Sequence, residues 1–386
     1  MARRRIKGEG SIYLREDGRW VARYNGVIKY AKDSMDALDK LNDLKAASKE
    51  VMRTRATTIS NMVKAWLEMK SHSLKPQSYD RLESTVNLHI IKRIGNLNFA
   101  DVDDVVFTQK VLTAMKNEKF SYSSIKKAYD AFNACMSYYK SKGAISVNPI
   151  EAMGAPTRAA YEIYSEDNEG IIFAFTKEQK EAFLAALEAR YNNGKLIYQN
   201  KAAYVLCLYT GVRLGELLAL KWSNVNLDKK TIRIASTLTF AKDRDPKSAT
   251  FGRRIFRISS YTKNDKPRLL QLNTKAFDAI TELKLLAEQK KSDFVVSSKD
   301  GAVVRPKTME DAFASICDTA GIALPSGYNM HILRHTFASM LFAKGVNVKV
   351  VSELLGHSSI QITMNTYIDF IQDQNLISIQ AISDDI

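Results

Sequence analysis

The chain has 386 residues, with 57 Lys and Arg against 42 Asp and Glu and a formal charge of +15. That length accommodates two or three domains with cores of their own, which excludes a small disulfide-stapled scaffold. No apolar run reaches the ~18 residues of a membrane span, and the basic start Met1-Ala2-Arg3-Arg4-Arg5 lacks the apolar stretch of a signal peptide, so a cytoplasmic protein with a polyanionic partner, nucleic acid first, is expected.

In chain order, residues 1–55 read as a first unit. Ile12 to Leu14 and Trp20 to Tyr24 are short strands joined by a turn at Asp17-Gly18, and a third strand spans Val27 to Ala31. Ser34 then caps a helix with apolar Ala37, Leu38, Leu41 and Leu44. Residues 1–32 hold nine Lys/Arg and three acids, a net of +6. A small sheet with alternating arginines and aromatics suits insertion into a DNA groove. Arg3, Arg4, Arg5, Arg15, Arg19 and Arg23 are its candidate DNA contacts, against the alternative of a solubilising meander.

Residues 56–155 read as all-helical. Thr58 precedes an apolar stripe of Ile59, Met62, Val63, Trp66 and Leu67; further helices run from Pro76 to Ile90, Asp104 to Lys116 and Ser121 to Tyr139. Val147-Asn148-Pro149 breaks the last. Lys126 and Lys127, with Lys140 and Lys142, could face phosphates, but a solvated lysine face is the commoner explanation. Residues 156–175 carry Pro156 and a mixed charge run and form a linker. From 176 to 386, Thr176 with Gln179 opens a domain of helices at 177–191, 198–208, 275–289, 308–319, 331–344, 347–355 and 359–367. Strands fall at 231–234, 254–258 and 268–272.

Three of the chain's five histidines lie within the last domain, in His331-Ile332-Leu333-Arg334-His335 and Leu355-Gly356-His357, with Tyr367 ten residues further on. His331 and Arg334 are three apart and share a helix face, whereas His335 is expected to point elsewhere. Gly356 suits a left-handed helix end that throws His357 into a cleft, and Ser358 or Ser359 can cap the next helix. Arg213 follows Gly211 at a helix start, where Glu216 can orient it; the competing reading is a surface ion pair worth under ~1 kcal/mol. Lys263, in Tyr261 to Pro267, reads as a hairpin-tip lysine that can swing in as a general acid, and Lys266 competes with it. Two guanidiniums that clamp phosphate oxygens, two imidazoles and a phenol make a site for cutting a phosphodiester with tyrosine as nucleophile. No cofactor and no metal is implied: carboxylates do not cluster and no Gly-rich Lys-Ser/Thr phosphate loop is present. Cys135, Cys207 and Cys317 form neither a disulfide framework nor a zinc pattern and are expected as reduced, buried thiols.

Thr210 to Trp222 (TGVRLGELLALKW), His331 to Leu341 (HILRHTFASML), Leu354 to His357 (LLGH) and Tyr367, in this order over about 160 residues, resemble the tyrosine recombinases, the phage-type integrases. The layout is similar to integrases of temperate phages and conjugative transposons. The resemblance implies a multi-domain, mainly α fold with small β-sheets: an arm-type DNA-binding domain at 1–55, a helical core-DNA-binding domain at 56–155 and an α+β catalytic domain at 176–386. It implies that Arg213 and Arg334 grip the scissile phosphate, His331 takes the nucleophile's proton, Lys263 protonates the leaving oxygen, His357 packs at the phosphate and Tyr367 attacks. Ile332 stands where the family often has Asp, removing an orienting carboxylate but no catalytic group; the long stretch from Lys242 to Arg254 leaves Lys263 and Lys266 both open.

The implied activity is site-specific recombination for integration and excision through a 3′-phosphotyrosyl intermediate. The implied partners are double-stranded DNA with core-type and arm-type sites, a homo-tetramer on that DNA, and an excisionase or host DNA-bending protein; no membrane is involved. The apolar tail after Tyr367 (Phe370, Ile371, Leu376, Ile377, Ile379, Ile382) would dock on a neighbouring copy or on its own domain. Alternatives are a type IB topoisomerase-like relaxase, an inactive DNA-binding architectural protein and, weaker, a metal-dependent nuclease.

Overall fold

The computed structural model describes residues 10–24, 27–55, 57–161, 173–260, 267–325 and 327–367, with main chain only at 46–55. The chain divides into two compact units, Met1–Asp167 and Asn168–Ile386. Arg3, Arg4, Arg5, Lys263, Lys266 and the tail after Tyr367 lie outside the described residues.

The first unit opens with β1 (Ser11–Leu14), β2 (Trp20–Tyr24) and β3 (Val27–Ala31), an antiparallel sheet in the order β1-β2-β3. Gly18 takes φ +79° in the first turn, a conformation costly for other residues. Helix α1 (Ser34–Arg55) follows, and Ala22 buries against its Leu41 and Leu44, with Ile12 and Tyr24 alongside. Two expectations are corrected. Asp33 caps α1, its Oδ1 accepting from the amides of Met35 (2.9 Å) and Asp36 (2.8 Å), because a carboxylate at this position satisfies two orphan donors. Leu38 is exposed, one step off the buried Ala37-Leu41-Leu44 stripe.

The helical part comprises α2 (Ile59–Ser71), α3 (Pro76–Thr85) and α4 (Lys92–Ile94) joined by a π turn at Val86–Ile91, α5 (Asp104–Phe107) and α6 (Ala114–Asn117) joined by a second π turn at Thr108–Thr113, then α7 (Tyr122–Ser141) and α8 (Arg158–Tyr161). Thr58 and Ser121 cap α2 and α7 through side-chain bonds to Asn61 and Ser124. Trp66, Ile90, Phe107, Met115 and Phe132 form the core, with Phe107 stacked on Phe132 at 4.6 Å. The break after α7 is anchored by buried Asn148, whose amide donates to Asn133 (2.7 Å) and Ser137 (3.1 Å).

The second unit starts with α9 (Lys177–Ala186), capped by the reciprocal Thr176–Gln179 pair. It stops five residues short of expectation, because Arg190 bridges Leu196 in a tight turn. Then come α10 (Lys201–Thr210), α11 (Leu214–Leu218), β4 (Val225–Asn226), β5 (Thr231–Ile234), β6 (Thr237–Lys242), β7 (Arg254–Ser259) and β8 (Arg268–Gln271). The remaining helices are α12 (Thr274–Gln289), α13 (Pro306–Thr319), α14 (His331–Phe342), α15 (Val348–Leu355) and α16 (Ile360–Thr366). Strand β6 was not anticipated. It pairs with β7, while β8 joins β4 and β5 in a separate sheet. Strands β7 and β8 thus lie in different sheets, and the residues between them that carry the expected hairpin-tip lysine, 261–266, lie outside the described residues.

The main core gathers Phe183, Tyr204, Leu208, Leu217, Ile232, Ile280, Phe313 and Leu333, and a smaller one gathers Phe337, Phe342, Val351, Leu355 and Tyr367. All three cysteines are free and buried. No helix among the described residues is long and apolar enough to cross a membrane.

Candidate active site

Two glycine joints organise the site. Gly211 ends α10 with φ +65°. A Cβ there would lie 2.5 Å from Phe337 Cδ1 and 2.9 Å from Leu355 Cδ2, so only glycine lets α10 turn this close to α14 and α15. Gly356 ends α15, also at φ +65°, and a Cβ there would lie 2.8 Å from Arg268 Nη1. Gly211→Ala combines left-handed strain with overpacking and is expected to destabilise the unit by about 2–4 kcal/mol, read as a lower urea midpoint.

Arg213 follows the first joint at the N-cap of α11. Its amide donates to Glu216 Oε2 (3.0 Å), its Nη1 to Glu216 Oε1 (2.8 Å) and its Nη2 to the Gly356 carbonyl (3.3 Å). Glu216 is not the surface partner allowed for in the competing reading: it is 2 % exposed. Arg268, at the start of β8, grips the same carboxylate with Nη1 (3.0 Å) and Nη2 (2.6 Å) and donates from Nε to the Leu354 carbonyl (3.0 Å). Burial raises the Glu216 pKa, but the hydrogen bonds and charge of Arg268, with the charge of Arg213, outweigh it and hold the carboxyl at about 2.

Arg334, on α14, is 4 % exposed. Its Nη1 donates to the Gly211 carbonyl and its Nη2 to the Leu355 carbonyl, both at 2.7 Å. Arg334 is thus braced across both joints, and Arg213 against the second. Burial, then the Arg213 charge, pulls Arg334 down to about 9, so it stays protonated at neutral pH. His331, three residues earlier, is exposed at the first turn of α14, while Arg334 is buried. The two share a face but not an environment.

Tyr367 caps the end of α16, its amide donating to the Thr363 carbonyl (3.0 Å), and is 1 % exposed. Its hydroxyl lies 2.8 Å from His335 Nδ1. Burial raises the phenol to about 12 against the lowering charge of Arg334. The expectation that His335 points elsewhere is therefore corrected: it faces Tyr367, and only the packing of α16 on α14 reveals this. Burial, then His331 and Arg334, lowers its imidazole to about 4. His357 leaves the left-handed joint as expected, and its Nδ1 lies 2.7 Å from Thr363 Oγ1. Ser359 stands at the N-cap of α16, but its side chain makes no capping bond.

These two shifts set a pH dependence. His335 is depressed from 6.5 to about 4, so its contribution is present above pH 6.5 and is lost as pH falls towards 4. Glu216 is depressed from 4.5 to about 2, so its contribution is present above pH 4.5 and is lost on the way to 2. The urea midpoint should fall steadily below pH 6.5, and His335→Asn should flatten the upper part of that fall.

The other candidate DNA contacts sit on the first unit. Arg15 donates to Tyr30 Oη (3.2 Å), Arg19 binds Asp17 (2.8 Å) and lies 5.1 Å over the Tyr30 ring, and Arg23 is exposed. Arg23 shares the sheet face opposite α1 with Tyr13, Ile28 and Tyr30, following the register Ser11-Arg23-Ile28 and Tyr13-Val21-Tyr30. On α7, Lys126 pairs with Asp130 (2.7 Å) and Lys127 is exposed. Among the described residues no three His, Cys, Asp or Glu side chains gather as metal ligands.

Residues 174–372 match the phage integrase family, and residues 58–111 match the N-terminal SAM-like domain of phage integrases. A tyrosine recombinase XerC-like protein of Caldanaerobacter subterraneus subsp. tengcongensis is 24% identical over 85% of this chain and 83% of its own length. An integrase of Streptomyces ambofaciens is 24% identical over 95% and 94%. Among solved structures, the Tn1549 transposon integrase in complex with transposon right end DNA is similar with a TM-score of 0.68 and 18% identity, covering 85% of this chain and 100% of that one. A lambda integrase tetramer bound to a Holliday junction is similar with a TM-score of 0.57 and 16% identity, covering 94% and 96%. Buried Arg334, half-buried Arg213, the buried Tyr367 and these matches together show that the chain belongs to the phage integrase family, as a tyrosine-type site-specific DNA recombinase.

Proposed function

We propose that this recombinase integrates and excises a mobile element, cutting and rejoining DNA through a 3′-phosphotyrosyl intermediate. The observation that carries the reading is the bracing of Arg213 and Arg334 on the carbonyls of Gly211, Leu355 and Gly356, which aims two cations at one place beside Tyr367. Phosphoryl transfer is chiefly positioning and charge stabilisation, and preset guanidiniums supply both.

In this reading Tyr367 Oη attacks the scissile phosphorus as the bond to the 5′ oxygen breaks. The phenol proton passes to His331, Lys263 (or Lys266) protonates the leaving 5′ oxygen, and His357 packs at the phosphate. A phenol near 12 does not ionise at neutral pH by itself, so attack needs the proton acceptor and the positive field of the arginines. The phosphotyrosyl ester conserves the bond energy, and the reverse attack by a 5′-hydroxyl of the partner duplex rejoins the strand.

Residues 1–55 bind arm-type sites through Arg3, Arg4, Arg5, Arg15, Arg19 and Arg23, residues 56–155 bind the core site with Lys126 and Lys127 on phosphates, 156–175 link, and 176–386 carry the chemistry. Strand exchange needs four such sites on two duplexes, hence a homo-tetramer, as in the lambda integrase tetramer bound to a Holliday junction. The Tn1549 complex with transposon right end DNA supports a transposon-like element. An excisionase or host DNA-bending protein would set direction. Incubation with two duplexes drawn from element ends, one labelled, should yield products with exchanged flanks. Relaxation of supercoiled DNA without exchange would favour the topoisomerase-like reading.

A further inference from the structure

We propose that His335 is the positioning residue for the nucleophile: its imidazole Nδ1–H donates to the Tyr367 hydroxyl oxygen and fixes the direction in which that oxygen presents its proton and its other lone pair. The inference deepens the recombinase reading and rests on Tyr367 being the nucleophile.

The geometry is specific. Nδ1 lies 2.8 Å from Oη, while the ring centroids are 5.8 Å apart at an interplanar angle of 57°, so the rings meet at their polar edges and do not stack. Tyr367 is packed among Phe337, Phe342, Val351 and Leu355. A phenol buried in such surroundings without a partner would carry a desolvation cost of about 1–3 kcal/mol. A neutral imidazole has one acceptor and one donor nitrogen, and its depressed pKa keeps His335 neutral across physiological pH. With Nδ1 as donor, His335 holds one Oη lone pair and the phenol keeps its proton for His331.

The sequence position adds to this. His335 directly follows Arg334, on a 12-residue helix whose inner side is core, whereas Tyr367 ends a seven-residue helix. Adjacent residues of one rigid turn therefore hold the phosphate-binding guanidinium and the attacking oxygen, which ties their separation to the geometry of α14. Orientation of this kind can be worth orders of magnitude in rate. His331 keeps the proton-accepting role; His335 acts through Tyr367.

The test uses the full chain. Adduct formation on nicked duplexes from element ends is followed in single turnover for wild type, His335→Ala, His335→Asn and His335→Gln. In parallel, 3-fluorotyrosine at position 367 reports the phenol by 19F NMR without DNA. Asn can place an amide N–H where Nδ1–H stands, whereas Gln reaches nearer to Nε2. His335→Ala should slow adduct formation roughly 10- to 100-fold with DNA affinity unchanged, and should move the 19F resonance. His335→Asn should restore most of the rate and the resonance, and His335→Gln should not. Equal rates in wild type and His335→Ala, or equal losses in all three variants, would overturn the proposal, as would a 19F resonance indifferent to His335→Ala. If the wild type forms no adduct on any duplex, the recombinase reading fails on its own account, and the 19F comparison still decides the contact.

Discussion

Glu216→Ala should cost the second unit about 3–5 kcal/mol, because it strips a buried carboxylate from two half-buried guanidiniums at once. Glu216 accepts four hydrogen bonds, two from Arg268 and two from Arg213. Arg268 would keep only its bond to the Leu354 carbonyl among these partners, and Arg213 its 3.3 Å contact with Gly356. The urea midpoint should drop sharply, and adduct formation should be lost even at temperatures where the fold survives, since Arg213 is no longer aimed. Glu216→Gln keeps the shape and loses the charge, so it should fall between wild type and alanine in stability. A midpoint unchanged in Glu216→Ala would show that the carboxylate is not the anchor described here.

Arg334→Lys should lower cleavage by about 10²–10³-fold or more with a smaller effect on DNA affinity. The guanidinium spans two carbonyls, Gly211 and Leu355, with different nitrogens and still presents charge to the site. An ammonium is a point charge with no planar fork and cannot reproduce both bonds in one geometry. Overall affinity arises from phosphate contacts along the duplex and should change little. Comparable cleavage by Arg334→Lys would mean that positive charge alone suffices and that the bracing is structural only.

Both effects concern contacts that span long stretches of chain, which the sequence alone does not bring together. Arg213, Glu216, Gly356 and the Thr176–Gln179 box were legible because each acts within a few residues of its partner, through helix spacing or a glycine joint. Arg268 was not, because its carboxylate partner lies 52 residues away. Arg334 was legible as a cation but not as a buried brace, since its acceptor Gly211 is 123 residues distant. His335 was set aside by counting helix positions on α14 alone, and its partner arrives on α16. Strand β6 escaped because Thr237 to Lys242 alternates weakly and only its pairing with β7 declares it. The two π turns left no mark, as one extra residue per turn barely disturbs an apolar stripe of this length. Asp33 was passed over for Ser34, although a carboxylate one residue earlier caps equally well.

The central claim is that Tyr367 is the nucleophile of a 3′-linked cleavage, and covalent trapping tests it most directly. Wild type and Tyr367→Phe are incubated with nicked duplexes from element ends, in chelator, with the cut strand labelled at its 5′ end. The expected result is a denaturation-resistant adduct that retains the 5′ label, maps to the peptide carrying Tyr367, forms with release of a strand bearing a free 5′-hydroxyl and vanishes in Tyr367→Phe. An adduct that persists in Tyr367→Phe, maps to another residue or retains only a 3′ label would contradict it.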